Sequence, residues 1–324
     1  MRNTKFTALA AAAVMAASVA SADDRSDWPS GLTVGTASQG GVYFVYGNGL
    51  ASFISEELGI SSSGEVTGGP VQNVTLTQMQ EHDIGLVTMG PMFEAWNGES
   101  ELAPGLEHTD VRALFPMYET PFQGIALTSQ DISSVGDLAG KRVSVGPAGG
   151  TPGTYWPRIL EALDVEANVS FAGAADAAGQ LQDGLIDAFV FAAGVPIAAF
   201  SQLAAEADVR TFTFTDEEHA AILEAFPEVS PFTIPGGSYT VQDEDQPSVA
   251  MWNFAIAHAD MPESLAYEIT KLVMENNDRM MQIHAAAEAT LPENFENNAF
   301  LPFHPGAVRW FEENGFEIPE DLRG

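Results

Sequence analysis

Two glycine-rich stretches carry the chemistry that stands out in this chain: Gly35-Thr36-Ala37-Ser38-Gln39-Gly40-Gly41 and Gly146-Pro147-Ala148-Gly149-Gly150-Thr151-Pro152-Gly153. Each follows a short apolar strand and precedes a helical pattern. A glycine loop at a helix start offers unpaired backbone N–H groups and the positive end of the helix dipole. Gly40 and Gly41 let the backbone approach a ligand closely, and Thr36 and Ser38 add hydroxyls. Gly149 to Thr154 offer the same chemistry again, with Thr151 and Thr154 as the hydroxyls. The natural guest is a carboxylate or other small anion, held without full positive charges. A single loop of this kind reads as a tight strand-to-helix turn, and two in equivalent positions read as a binding site. Tyr43 and Tyr46 lie one turn apart on the helix after the first loop, where Tyr43 is placed either in the core or in the pocket wall.

Other chemistries fail on detail. Neither loop ends in the Lys-Ser/Thr of a P-loop, and Gly47-Asn48-Gly49 lacks the third glycine of a dinucleotide fingerprint. Thr36 stands two residues before Ser38, so the G-x-S-x-G nucleophile elbow is broken. The six His form no H-x-x-x-H pair, so no metal site is expected. His304 precedes Pro305-Gly306, which suits a helix cap better than catalysis. Arg112 and Arg158 are read as ion-pair partners rather than ligand clamps. Neither a catalytic residue nor a cofactor is assigned, and the chain is read as a non-enzyme.

The elements that position these loops occur twice. Leu32 to Val34 is a strand entering the first loop, and Val42 to Leu58 carries the apolar face of a helix. Val143 to Val145 enters the second loop, followed by Tyr155, Ile159, Leu160 and Leu163 at helical spacing. A helix from Val74 to Gln80 leads to the strand Ile84 to Val87, and a helix from Ala178 to Gln182 leads to Ala188 to Phe191. Alternating short strands and helices predict an α/β fold of parallel sheets with helices on both faces. Ligands in such sheets bind at the carboxyl ends of the strands, so two lobes place the two loops across one cleft. The crossover is expected near Pro116 to Pro121 and the return within Tyr239 to Trp252. The boundaries that follow are 23–120 for the first part of lobe I, 121–245 for lobe II, and 246–324 for the return to lobe I with C-terminal helices.

Composition agrees with an exported protein. The 324 residues hold 45 Asp and Glu against 12 Lys and Arg, a net charge of −33, with no Cys. Nucleic-acid binding and anionic membranes are disfavoured because Lys and Arg are scarce. Thiolate zinc, iron–sulfur and disulfide chemistry are excluded outright. Arg2 and Lys5, the apolar run Phe6 to Ala20 and the small-residue site Ala20-Ser21-Ala22 form a signal peptide over residues 1–22. The run is shorter than the ~20 residues of a membrane span, so no anchor is expected. Without the leader, 10 basic residues face 45 acidic ones, a charge of −35. Acidity spread along the chain reads as a salt-tolerant surface.

Taken together, the chain resembles the TAXI-type solute-binding subunit of a TRAP (tripartite ATP-independent periplasmic) transporter. Leu32 to Tyr43 is similar to that family's opening strand and G-T-x-x-x-G-G-x-Y loop, and Gly68 to Asn73 to its G-G-S-x-x-N segment, with Pro70 where Ser is usual. Asp137 to Gly149, Asp187 to Pro196 and Phe303 to Ala307 resemble three further signatures in the same order. The resemblance implies a two-lobed, type II-like periplasmic binding protein. Such a protein closes on a small carboxylated solute, glutamate-like or a dicarboxylate, and hands it to an ion-coupled TRAP permease. It also implies a periplasmic monomer, and a ligand set of Thr36, Ser38, Gly40, Gly41, Tyr43, Asn73, Gly149, Gly150, Thr151, Gly194 and Val195. Gly150 stands where the family usually has Ser, so either Thr151 or Thr154 supplies that hydroxyl or the ligand differs. A periplasmic lyase or transferase on the same scaffold, or a sensor serving a signalling receptor, are the alternative readings.

Overall fold

A computed structural model describes residues 25–324, so the leader and its cleavage point lie outside the described residues. The first repeat runs β1 (Gly31–Gly35), α1 (Val42–Leu58), β2 (Ser61–Glu65), α2 (Pro70–Gln78), β3 (Ile84–Thr88) and α3 (Met89–Trp96). The long strand β4 (Val111–Leu127) leads into the second repeat: β5 (Arg142–Ser144), α4 (Thr151–Ala162), β6 (Asn168–Ser170), α5 (Ala174–Gln182), β7 (Ala188–Ala192) and α6 (Ala198–Glu206). Then come β8 (Val209–Phe212), α7 (Asp216–Ala225), β9 (Ser230–Ile234) and a second long strand, β10 (Gln246–His258). Helices α8 (Glu263–Met274), α9 (Asn277–Ile283) and α10 (Pro305–Glu313) complete the chain.

Two of these helices begin earlier than apolar spacing indicates. Pro70 opens α2, where a missing N–H costs nothing, and α5 begins on Ala174, whose small side chain joins Ala177, Ala178 and Leu181 in a buried stripe.

The strand order β2-β1-β3-β10-β4-β7-β5-β6 shows the duplication directly. β1 lies between β2 and β3 in parallel, and β5 lies between β6 and β7 in parallel. The sheets are nonetheless mixed rather than purely parallel, because β10 runs antiparallel to β3 and β4 runs antiparallel to β7. The reason lies in the connections. β4 pairs with β10 up to Pro121 and with β7 from Phe122, so one continuous strand passes from one lobe into the other. β10 makes the return, pairing first with β9 and then with β4 and β3. Proline is tolerated at 116 and 121 in β4 where the register with β10 is broken or ends.

Each lobe has its own packing. In lobe II, Trp156 stacks on Phe214 with centroids 5.8 Å apart and donates its indole N–H to the Phe191 carbonyl at 3.0 Å. In lobe I, α8 and α10 cover the sheet, and Ala113 donates its N–H to the Pro302 carbonyl while accepting from His304 N–H. His304 caps α10, its Nδ1 accepting from Gly306 N–H at 3.2 Å.

Burial pushes His304 down from 6.5 to about 4, so the folded chain holds it neutral. The unfolded chain takes up that proton more readily. Stability from this residue is therefore full above pH 6.5 and is lost as pH falls toward 4. His304→Asn keeps a capping acceptor and removes the titration. Urea unfolding at pH 7 and pH 4.5 is expected to show a smaller acid loss in the variant, by up to about 3 kcal/mol. An identical loss in both proteins would contradict the assignment.

Candidate functional site

The two glycine loops line one cavity between the lobes. Its wall includes Ser38, Gly41 and Tyr43 from the first loop and helix, and Gly150 and Thr151 from the second. The segment between β2 and α2 contributes Gly68, Gly69 and Pro70, and Phe191 to Ala193 close the far side. The cavity measures about 30 Å³, enough for about one or two waters. Among the described residues, no charged side chain lines it.

Three helices begin at this wall, and none has a side-chain cap: α1 at Gly41, α2 at Gly69 and α4 at Gly150. The positive helix ends therefore concentrate on one small volume, with first-turn amides from α1 and α4, while in α2 Pro70 has no N–H and Val71 N–H is already bonded. Elsewhere the loops satisfy each other across the lobes. Val71 N–H donates to the Gly149 carbonyl at 3.1 Å, and Ser38 Oγ accepts from Ala174 N–H at 3.2 Å. The carbonyls of Gln39 and Gly40 accept from Ala175 and Ala199, the starts of α5 and α6, each at 3.1 Å. Gly69, at φ +120°, sits so close that an added Cβ would fall 2.9 Å from Gly150 Cα. Only glycine permits both that backbone conformation and that approach.

Beneath the loops lies a buried polar network. Tyr43 donates its hydroxyl to Asn253 Oδ1 at 2.6 Å, and Thr88 donates to the same oxygen at 2.8 Å. Thr151 donates to Thr88 Oγ1 at 2.7 Å across the cleft. Asn253 Nδ2 donates to the Tyr118 carbonyl and to Thr120 Oγ1, each at 2.6 Å. Burial raises the Tyr43 phenol well above its usual range, so it serves as a neutral donor.

The remaining residues of the expected ligand set lie behind or beside this wall. Thr36 is fully buried and donates to the Glu65 carbonyl at 2.6 Å. Asn73 donates to the carbonyls of Gly35, Thr36 and Leu86 and accepts from Thr67, tying α2 to the ends of β1 and β3. Gly40 packs on Ala175 and Ala199, and Gly149 packs on Gly68. Gly194 fits against the Tyr118 ring and Ala286, while Val195 lines a separate groove of about 580 Å³. Sequence reasoning missed Thr88, Thr120, Asn253 and Phe191. Thr88 carries a usable signal, since it ends the apolar run Ile84 to Val87 at the carboxyl edge of a strand. Asn253, a lone amide inside the apolar stretch Met251 to Ile256, is a weaker one.

A larger groove of about 710 Å³ opens beyond the Thr88–Thr151 contact, with Phe93, Trp252 and Phe300 among its walls. At its edge Arg158 of α4 bonds Glu94 of α3 and reaches Glu101 at 3.3 Å, joining the lobes by an ion pair. Arg158 is one-third exposed and Glu94 is largely covered, so this pair keeps part of its strength in salt. A double-mutant cycle with Arg158→Met and Glu94→Gln is expected to give a coupling of about 1 kcal/mol in urea unfolding, falling at 1 M salt. The single variants are expected to raise the radius of gyration in solution scattering. Zero coupling with unchanged scattering would show that the pair does not hold the lobes.

Comparison with known proteins agrees with this architecture. A solved structure described as that of a periplasmic transporter superposes with a TM-score of 0.54 at 13% identity, covering 90% of this chain and 100% of the other. A Prochlorococcus marinus protein in complex with methylphosphonate gives 0.50 at 14% identity, covering 81% and 92%. The GluR0 ligand-binding core with L-glutamate gives 0.49 at 15% identity, covering 82% and 99%. The fold is the two-lobed, mixed α/β architecture of periplasmic binding proteins. Residues 34–315, which span both loops and both long strands, match the NMT1-like family, and the chain belongs to it.

Proposed function

We propose that this protein is an extracytoplasmic solute receptor of the TAXI type. On this reading it captures a small carboxylated solute between its lobes and delivers it to an ion-coupled TRAP permease. Residues 1–22 act as a cleaved signal peptide, and the mature monomer works in the periplasm. The observation that carries the reading is the convergence of three helix starts, none with a side-chain cap, on a cavity that no charged side chain lines among the described residues. Such a site suits an anion that must be held by amides and hydroxyls rather than by Lys or Arg. Membership of the NMT1-like family and the sequence resemblance support the transport role. Methylphosphonate, bound by the similar Prochlorococcus marinus protein, is likewise a small anion.

Closure is part of the mechanism. A cavity of about 30 Å³ does not admit a solute the size of glutamate, so the loops must part before it enters. The bending would fall in β4 and β10, the strands that connect the lobes. Binding free energy then offsets the cost of re-closing.

Thermal unfolding in the presence of L-glutamate, L-aspartate, succinate and 2-oxoglutarate tests the reading. A solute at about one hundred times its Kd adds about 2.7 kcal/mol, or roughly 5 °C in Tm. At least one carboxylate is expected to produce such a shift, and its amide analogue a much smaller one. No shift with any of the four, or equal shifts with the amides, would contradict the ligand class.

A further inference from the structure

We infer that Asn253 sets the hydrogen-bond polarity of the cavity, leaving Thr120 as the buried side-chain donor that meets an anionic oxygen of the solute. The inference rests on the proposed carboxylate receptor and deepens it.

The argument follows the protons. The Tyr118 carbonyl can only accept, so the group 2.6 Å from it must be the amide nitrogen of Asn253, and the orientation of that amide is fixed. Asn253 Oδ1 then points the other way and can only accept. Tyr43 and Thr88 each give their hydroxyl proton to it. With its own proton committed, Thr88 Oγ1 accepts from Thr151, which commits the Thr151 proton as well. Three of the buried hydroxyls around the cavity therefore have nothing left to donate.

Thr120 differs. It accepts from Asn253 Nδ2 at 2.6 Å, so its own proton stays free, and no described residue accepts it. Thr120 is 2% exposed and lines the cavity. Ser38, the other lining hydroxyl with an uncommitted proton, is half-buried at the rim and already accepts from Ala174 N–H. A buried hydroxyl proton without an acceptor is costly, and a solute oxygen would relieve it. A solute donor at that position would meet another donor. The site thus favours acceptors, and Asn253 acts as the positioning residue that makes it so without touching the solute.

Neutron diffraction from crystals exchanged into D2O tests this on the protein alone. The deuteron of Thr120 is expected to point into the cavity. A deuteron directed at a protein acceptor would overturn the inference whatever the solute. Binding supplies the second readout, with L-glutamate as the probe. Thr120→Val is expected to weaken L-glutamate binding by roughly 10- to 100-fold, and Thr120→Ser to restore it within about threefold. Asn253→Asp, which would draw the Thr120 proton inward, is expected to weaken it comparably. Unchanged affinity in Thr120→Val would overturn the inference. If the wild-type protein does not bind L-glutamate, that result counts against the probe as ligand, while the deuteron position still decides the role of Thr120 and Asn253.

Discussion

Contact between backbones without side chains is the constraint on which the rest depends. Gly68 and Gly69 of one lobe rest on Gly149 and Gly150 of the other, with the Val71 amide bonded to the Gly149 carbonyl. A Cβ at Gly69 would strike Gly150. That approach brings the starts of α2 and α4 to the wall where α1 also begins. It also places Thr151 within reach of Thr88, so that a hydroxyl from lobe II joins the network in lobe I. On the other flank, the carbonyls of Gln39 and Gly40 meet the starts of α5 and α6. The lobes thus meet through secondary-structure ends, which are rich in unpaired groups, rather than through sheet faces.

The electrostatics separate the site from the surface. The chain carries a formal charge of −33, which repels an anion at long range. Inside the cavity no carboxylate of the described residues competes, and fixed dipoles replace mobile cations. Hydrogen bonds strengthen where water is excluded, so oriented amides and the buried Thr120 hydroxyl act more strongly there than at the surface. Salt screens the long-range repulsion while leaving buried donors largely unaffected.

The doubled strand–loop–helix order was legible because glycine loops and apolar periodicity are local signals. β1 to α1 and β5 to α4 follow it directly. Arg158 was also read correctly as an ion-pair partner, though Glu94 could not be named from sequence. The polar floor was not legible. Asn253 and Thr120 stand 133 residues apart, and Asn253 and Tyr43 stand 210 apart. They meet only because β10 returns between β3 and β4, and neither Asn253 nor Thr120 has a neighbouring motif. The family pattern named Asn73 and the Gly194–Val195 turn, and the structure shows what those residues touch. Asn73 braces the first loop from behind, and Gly194 makes room for the Tyr118 ring.

A crystal structure with the solute that the protein retains when purified from its own cells tests the central claim most directly, with native mass spectrometry identifying that solute. The account predicts an anionic oxygen within hydrogen-bond distance of Thr120 Oγ1 and of amides at the starts of α1 or α4. A solute seated instead in the groove beside Phe93, Trp252 and Phe300, with the Gly69–Gly150 contact still closed, would contradict it.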